Sequence, residues 1–342
     1  MRFDVIIGNP PYQEHNNSGQ NDNSGKPIYQ NFIRALRYYN YCRLVFIIPS
    51  RWACSGSQDL DRFRYDMLTS GMIDTIVTFE RAVDVFPEAD ISGGVQIIVL
   101  DRAKKSSNIT IRNIGFDNGC MKVVSEEVRD PLKYKYIDNK KSTQYMLPLN
   151  NKSEHILSKI FSSDNLSSSG MTADTFNASS IRDEDIVDTH CADGIRMLTR
   201  GGNFVTVSRD AVNVDADMLK KYKVVCLCLS DYGRVGTSEK HRVIYALQKL
   251  KANEICTRTY FVLNAFDTEA EADNFYSFMV GKLGRFLVST TLNSIHIISR
   301  NLMFIPNIDF STYHSDDELY DKYGVTPDER EYINSIISDY NK

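Results

Sequence analysis

The sequence lacks the short motifs that usually mark a bound nucleotide or a catalytic metal ion. No two of its 18 glycines stand two positions apart, so it contains no G-x-G loop of the kind that cradles a cofactor in doubly wound sheets. Its seven cysteines form no C-x-x-C pair, and its six histidines form no H-E-x-x-H motif. We therefore expect no metal site, and these absences argue against a metal-dependent endonuclease.

Long apolar runs and an excess of positive charge are missing as well. No apolar segment is long enough to span a membrane and no signal peptide is evident, which predicts a cytoplasmic protein with reduced cysteines and no membrane partner. The formal net charge is −4, so overall charge does not hold the chain to nucleic acid, and any such contact needs a local basic patch. A length of 342 residues predicts about two domains.

The clearest feature that is present is the N-terminal run MRFDVIIGNPPYQ. The β-branched stretch Phe3 to Ile7 predicts a buried strand of a parallel sheet. Pro10 and Pro11 remove two amide donors and stiffen the loop that follows. Asn9 is therefore expected at the carboxyl end of a strand, where open α/β sheets bind ligands. The alternative is that Asn-Pro-Pro-Tyr simply ends a strand.

Strand and helix patterns alternate through the first part of the chain. After a polar loop, Pro27 begins a helix with an apolar face of Ile28, Phe32, Ala35, Leu36 and Tyr39. Further strands are predicted at 43–48, 73–79 and 95–100, with a helix at 60–68. This order predicts an α/β fold containing part of a doubly wound sheet.

A stretch rich in Ser, Asn and Thr at 150–180 marks the predicted domain boundary, which gives domains at 1–150 and 151–342. The second domain shows strand-like runs, FVTVS and KVVCLCLS, and then a helix from Thr268 to Arg285. The apolar stripe on that helix is more typical of a core than of a partner groove. Its members are Phe275, Phe278, Met279, Leu283 and Phe286.

Four motifs in order, IIGNPPYQ, KPIYQNFIRAL, VFIIPSRW and DVFPEADISGGVQIIVLDR, resemble those of the gamma-class amino-methylating DNA methyltransferases, in the adenine-specific type II restriction-modification branch. The C-terminal part, CTRTYFVLNAF through DDELYDKYGVTPDEREYI, is similar to the tail of such enzymes. The resemblance implies the second half of a Rossmann-like methyltransferase sheet, followed by an α+β target-recognition domain. It also implies double-stranded DNA as substrate and a cognate restriction endonuclease as partner.

The resemblance gives the NPPY residues a chemical role. An exocyclic amine conjugated to a base is a poor nucleophile because its lone pair is delocalised. The side-chain oxygen of Asn9 and the carbonyl of Pro10 would each accept a hydrogen bond from the amine and direct its lone pair at the methyl donor. The target base must leave the helix, and Tyr12 would stack on one face while Phe86 covers the other. The alternative for Phe86 is a core aromatic.

The methyl donor implied by the resemblance is S-adenosylmethionine, and Ile28 and Phe32 match positions that pack against its adenosine. The alternative is that both belong to an ordinary core face. The missing glycine loop indicates that Phe3 to Ile7 corresponds to the family's fourth strand, with the cofactor half absent. We expect that strand at an open sheet edge. A partner polypeptide carrying the glycine-rich motif would pair along it, in a split or shortened methyltransferase.

DNA contacts are predicted for a basic window at 232–260, which has six cations against two acids. The cations are Arg234, Lys240, Arg242, Lys249, Lys251 and Arg258. A second basic cluster lies at 196–209, whereas the acidic segment 307–342 makes an improbable DNA surface. For both clusters, taken residue by residue, a solvated face is the alternative.

Three functions remain open at this point. The first is adenine-specific DNA methylation, with cytosine amine methylation as a variant. The second is methylation of a protein glutamine, which also uses Asn-Pro-Pro-Tyr, although roughly 190 residues beyond position 150 count against it. The third is a catalytically degenerate fragment that binds DNA or a partner. The intact NPPY motif favours an enzyme, and the missing glycine loop favours the fragment.

Overall fold

The computed structural model describes residues 2–14, 25–54, 59–88, 91, 93–138, 141–161, 181–186, 194–211, 216–231, 240–292 and 295–340. Within these residues, no helix combines the length and apolar character needed to cross a membrane.

A six-stranded mixed sheet forms the first part of the fold. Its strands are β1 (Phe3–Gly8), β2 (Tyr41–Pro49), β3 (Ile73–Phe79), β4 (Val95–Asp101), β5 (Ile109–Asp117) and β6 (Cys120–Arg129). Their order across the sheet is β1-β2-β4-β3-β5-β6. The β1–β2 and β3–β5 pairs are parallel, and β4 runs antiparallel to both of its neighbours. The predicted α/β class and its four strands are confirmed.

Helices α1 (Tyr29–Leu36) and α2 (Leu60–Leu68) pack on one face of this sheet. The buried residues between these layers include Ile33 of α1, Phe63 of α2, Leu44 of β2 and Ile98 of β4. Helix α1 connects the parallel strands β1 and β2, and α2 connects β2 to β3, which runs in the same direction. The loops after β1 and β2 therefore lie at the same edge of the sheet.

Two details of the predicted elements were wrong. The buried side of α1 is formed by Tyr29, Gln30 and Ile33. Of the predicted apolar stripe, Phe32, Ala35 and Tyr39 are exposed, whereas Leu36 packs against the core. Strand β1 was predicted to be buried, but Ile7 is 78 % exposed, because it projects from the sheet face opposite the one on which Ile6 packs against the core. The prediction that this strand lies at an open edge is confirmed.

The remainder of the described chain forms small sheets and helices. The hairpin of β7 (Tyr134–Ile137) and β8 (Thr143–Met146) is separate from two three-stranded sheets. The first has the order β10-β9-β13, from β9 (Ile195–Leu198), β10 (Phe204–Val207) and β13 (Glu254–Cys256). The second has the order β12-β11-β14, from β11 (Tyr222–Leu227), β12 (Gln248–Leu250) and β14 (Tyr260–Phe266).

The helices of this region are α3 (Asn151–Ile160), α4 (Ala216–Lys220), α5 (Glu269–Val280), α6 (Lys282–Ser289), α7 (Asp316–Tyr323) and α8 (Pro327–Ile336). The single helix predicted at 268–285 is thus two helices, which meet at Gly281. A side chain there would collide with the Asp316 carboxylate, which accepts a hydrogen bond from the Lys282 amide at 2.6 Å. The five residues of the predicted stripe are buried, as expected of core.

One large hydrophobic cluster runs from Tyr134 and Tyr136 in the β7–β8 hairpin to Ile337 after α8. Its members therefore come from both sides of residue 150. The division into domains at 1–150 and 151–342 stays a prediction.

Candidate active site

Asn9 lies directly after β1, at the edge of the sheet where β1 and β2 both end. Gly8 precedes it because any side chain at that position would overlap the ring of Phe46 on β2. Asn9 is exposed and Pro10 is buried. Among the described residues, no group is hydrogen-bonded to the Asn9 side chain, so its amide oxygen is available as an acceptor.

Backbone hydrogen bonds fix the NPPY loop against the start of α1. The carbonyl of Tyr12 accepts a hydrogen bond from the Ile28 amide at 3.1 Å, and the Glu14 amide donates to the Lys26 carbonyl at 2.9 Å. Gln13 and Pro27 form an antiparallel bridge between these contacts. The two prolines and this short ladder position Asn9 and Tyr12 on a rigid support.

The structure brings Tyr12 and Phe86 to the same small hydrophobic cluster, although they are distant in sequence. Both are half-buried and pack against Phe79, Ala82 and Val95. The Phe86 amide donates to the Ala82 carbonyl at 2.8 Å, in the turn that follows β3. The two aromatic side chains therefore share one floor beside Asn9's loop. Their predicted stacking roles remain predictions.

The Tyr12 hydroxyl is buried and has no hydrogen-bond partner in the described structure. Burial raises the pKa of Tyr12 to about 12, so the side chain is neutral at physiological pH. Replacing Tyr12 by Phe removes an unsatisfied polar atom and keeps the ring, and we expect the free energy of unfolding to rise by about 1 kcal/mol. Urea denaturation at pH 7 measures this effect.

The same variant has a predictable pH dependence. The tyrosine pKa is near 10 in an unfolded chain, and its higher value in the folded chain means that ionisation favours unfolding. Wild-type protein should therefore lose stability relative to Tyr12→Phe as the pH rises above about 10. A destabilised Phe variant at pH 7 would contradict the buried, unpaired hydroxyl.

A tight turn before β4 connects the loops around the site. The Ser50 amide and hydroxyl both donate to the Gly94 carbonyl, at 3.1 and 3.2 Å, which holds the loop after β2. Gly94 has a φ of +79°, and a Cβ there would lie 2.7 Å from the Glu80 carbonyl and closer still to that of Phe79. Only glycine fits this position without displacing backbone.

We expect Gly94→Ala to lower the free energy of unfolding by about 2–4 kcal/mol, from backbone strain and steric overlap together. Gly119 is the matched control, because its φ is +77° but a Cβ there would meet nothing within 4 Å. Gly119→Ala should cost about 1 kcal/mol. Equal losses in the two variants, measured by urea denaturation, would show that the overlap at Gly94 is absent.

Ile28 and Phe32 lie at the start of α1, next to the Tyr12 carbonyl contact. Ile28 is half-buried, and Phe32 is 42 % exposed. Phe32 therefore does not occupy an ordinary core position, which was the alternative for it. The two side chains offer an apolar surface to a ligand at this edge, and their role as cofactor contacts is untested.

Comparison with known proteins identifies the segment that contains this site. Residues 1–86 match the Eco57I restriction-modification methylase family. An uncharacterized adenine-specific methylase of Mycoplasma pneumoniae is 38% identical over 95 residues, which are 28% of this chain and 22% of that protein. The predicted resemblance to an adenine-specific restriction-modification methyltransferase is thus confirmed. The chain spans about a fifth of the length of this curated relative.

Solved structures give weaker similarities. The type I restriction-modification methyltransferase subunit of Streptococcus thermophilus has a TM-score of 0.26 at 15% identity, covering 36% of this chain and 29% of that one. The type IIG restriction endonuclease BpuSI has a TM-score of 0.26 at 10% identity, covering 86% of this chain and 42% of that one.

The predicted DNA-contacting residues lie outside residues 1–86, and the described ones differ in their neighbours. Lys249 pairs with Asp273 at 2.5 Å and Lys251 with Glu269 at 3.9 Å, so acids of α5 offset both charges. Arg258 is exposed, and its backbone amide donates a hydrogen bond to the Ile181 carbonyl.

Two further cations of the predicted patch, Lys240 and Arg242, are near the C-terminal helix. Lys240 and Arg242 line one cavity of about 420 Å³ together with Ser338 and Asp339. The Arg242 guanidinium stacks 4.4 Å from the centre of the Tyr340 ring. Arg234 lies outside the described residues. The structure therefore gathers two of the six cations at one cavity, and their contact with DNA is untested.

Three side chains, Glu127, Glu154 and His155, have ligand atoms within 4.8 Å of one another and could hold a metal ion. No such site was predicted from the sequence. The Glu154 carboxylate already accepts hydrogen bonds from Lys133 at 2.6 Å and Tyr134 at 2.9 Å. These contacts supply positive charge and donors to Glu154, as expected of a structural ion pair.

Motif reasoning missed the residues beneath the site. Phe79 and Val95 form its floor from neighbouring strands, and Ser50 ties the adjacent loops together. The run VQIIVL was predicted as a strand, but it is apolar at every position except Gln96, so its pattern does not indicate which side chains face the site.

Proposed function

We propose that this chain carries the catalytic loop and the DNA-recognition part of an adenine-specific DNA methyltransferase in a restriction-modification system. The observation that supports this most is the arrangement of Asn9, Tyr12 and Phe86. The amide of Asn9, which has no hydrogen-bond partner among the described residues, follows a strand end in a segment that matches a methylase family, and the side chains of Tyr12 and Phe86 pack against one hydrophobic cluster.

The target in this proposal is the exocyclic amine of an adenine in double-stranded DNA. The Asn9 side-chain oxygen and the Pro10 carbonyl each accept one hydrogen bond from the amine, and this favours a tetrahedral nitrogen with a localised lone pair. Both acceptors stand on a stiff backbone, so little reorganisation accompanies the reaction. The positive charge that develops on the nitrogen strengthens both hydrogen bonds, and the departing proton passes to solvent.

An adenine amine engaged in base pairing cannot reach Asn9, so the base must be extruded from the duplex. Tyr12 and Phe86 would hold it by stacking, which contributes roughly 1–3 kcal/mol for each aromatic contact. The basic residues Lys240, Arg242, Lys249, Lys251 and Arg258 would contact DNA phosphates from the second part of the chain, with Arg234. A cognate restriction endonuclease remains a predicted partner.

Methyltransferases commonly use S-adenosylmethionine, and the residues of this chain fit it only in part. Ile28 and Phe32 present an apolar surface suited to an adenine ring. The sequence contains no G-x-G loop through which backbone amides could approach a cofactor. We infer that residues outside these 342 complete the cofactor site, and a partner polypeptide that carries the glycine-rich motif remains a predicted source of them.

Transfer of tritium from labelled S-adenosylmethionine to unmethylated genomic DNA tests the proposal, followed by nucleoside analysis for N6-methyladenine. The chain is assayed alone and with the product of the reading frame immediately upstream of its own. Labelled adenine that requires this chain supports the proposal. Labelled cytosine would show that the target base is cytosine and not adenine. DNA binding without transfer in either mixture would favour a binding fragment instead.

A further inference from the structure

Two hydrogen bonds fix the chain after α8 against the segment before β12. The Ser338 amide donates to the His241 carbonyl at 2.9 Å, and the Leu247 amide donates to the Tyr340 hydroxyl at 3.0 Å. Asp339 lies between these two anchors and lines the cavity described above. Its side chain is 78 % exposed, so the carboxylate can turn into solvent while the backbone stays in place.

Cationic side chains surround the Asp339 carboxylate. The Lys282 ammonium, at the start of α6, lies 2.8 Å from one Asp339 oxygen. Lys240 and Arg242 line the same cavity as Asp339. The hydrogen bond from Lys282 and the charge of Lys240 hold the pKa of Asp339 below its ordinary value, so the carboxylate is ionised at neutral pH. Three cationic side chains therefore share this one exposed carboxylate.

Two other acids in this region, Asp231 and Asp316, are directed at backbone amides. Asp231 accepts hydrogen bonds from the Arg242 and Val243 amides, at 2.9 and 2.8 Å. Asp316 accepts one from the Lys282 amide at 2.6 Å. Neither carboxylate lines the cavity. The cations at the cavity would therefore be left in excess if the carboxylate that pairs with the Lys282 ammonium moved away.

Stacking holds the Arg242 guanidinium in one place. Its central carbon lies 4.4 Å from the centre of the Tyr340 ring and 5.3 Å from that of Tyr245. The next residue, Val243, is buried and has a φ of +67°, which is unfavourable for a β-branched side chain. Strain of this kind persists where surrounding contacts fix the backbone, and it is concentrated at functional sites. A planar guanidinium fixed in this way is pre-organised to donate two parallel hydrogen bonds to a phosphate.

We propose that Lys240, Arg242 and Lys282 bind one backbone phosphate of DNA, and that Asp339 is an internal counterion which this phosphate replaces. The inference rests on the proposed function in one respect, the identity of DNA as the ligand. It adds Lys282 to the cations predicted from the sequence, and it gives a role to an acid of the segment that was expected to avoid DNA. Because the carboxylate competes with phosphate, a single phosphate binds weakly, and a duplex that makes further contacts binds well.

Fluorescence anisotropy of the full chain with a labelled duplex, titrated at several salt concentrations, tests the counterion. Asp339→Asn keeps the size of the side chain but removes its charge, and about 5-fold tighter DNA binding is expected. Asp328→Asn is the matched control, because it removes an exposed acid at the other end of α8. It should change the affinity by less than about 2-fold.

Lys282→Gln tests the cationic side of the site. We expect about 10-fold weaker binding, by a similar factor for duplexes of different sequence, because a phosphate contact carries no sequence information. The slope of log affinity against log salt should become shallower by about 1. Lys322→Gln, at an exposed lysine of α7, should leave affinity and slope unchanged. An exposed ion pair contributes little to stability, so the Asp339 and Lys282 variants should stay folded, which circular dichroism checks.

Equal DNA affinity of Asp339→Asn and Asp328→Asn would overturn the inference and leave the proposed methylation standing. A loss in Lys282→Gln that depends on DNA sequence would show a base contact, and this result also contradicts a phosphate site. Inorganic phosphate that binds wild-type protein as tightly as the duplex does, in isothermal titration calorimetry, would replace DNA by free phosphate as the ligand. Tighter DNA binding by Asp339→Asn in a protein that transfers no methyl group would refute methylation and support the phosphate site.

Discussion

Asn9→Ala is expected to lower the rate of methyl transfer to DNA by about 10²–10³-fold, with little change in stability or DNA binding. The exposed Asn9 amide makes no hydrogen bond within the described chain, so its removal leaves no buried group unpaired. In the proposed mechanism, the variant loses one of the two acceptors that localise the lone pair of the target amine. Single-turnover transfer with saturating DNA measures the chemical step directly.

Two further variants test whether the expected loss of rate comes from the Asn9 side-chain oxygen. Asn40→Ala makes the same change at an exposed position beside Phe3, at the other end of β1, and should keep full activity. Asn9→Asp keeps an acceptor oxygen but adds a charge, and we expect intermediate activity. If Asn9→Ala retains more than about a tenth of the wild-type rate, the side-chain oxygen has no role in activating the amine.

The first four strands could be predicted from local sequence patterns. Short β-branched runs bounded by glycine or proline define β1 to β4, since strand pattern and turn chemistry agree there. The orientation of α1 could not be predicted in this way. Both of its faces carry apolar residues, and packing selected Tyr29 and Ile33. The break at Gly281 depends on Asp316, a contact distant in sequence.

In the candidate site, too, residues in a local motif could be predicted from the sequence, and residues brought together by distant contacts could not. The NPPY motif is local, so Asn9 and Tyr12 could be identified from the sequence and their strand-end position follows from the parallel pairing. The shared floor of Phe79 and Val95 depends on the order of strands in the sheet, which pattern alone does not give. The charge balance around Lys249 depends on Asp273 of α5, a contact that a count of charges along the window 232–260 does not include.

A buried arginine connects residues 1–86 to later parts of the chain. Arg64 of α2 is fully buried and donates to the Trp52 carbonyl at 3.3 Å and to the Tyr136 hydroxyl at 2.9 Å. It also pairs with Asp61 at 2.6 Å. Asp61 in turn accepts two hydrogen bonds from Arg300, so α2 and the segment after α6 share one carboxylate. The guanidinium therefore links the sheet's helix layer with the β7–β8 hairpin.

Arg64→Ala is expected to lower the free energy of unfolding by about 3–5 kcal/mol, because it leaves a cavity and several buried acceptors without a donor. Arg64→Met keeps most of the volume and should lose less, since Asp61 retains Arg300. Arg62→Ala, an exposed change in the same helix, should stay within about 0.5 kcal/mol of wild type. The single tryptophan, the buried Trp52, reports urea unfolding at this site. A loss below about 1 kcal/mol in Arg64→Ala would show that the network is not needed to hold the two parts together.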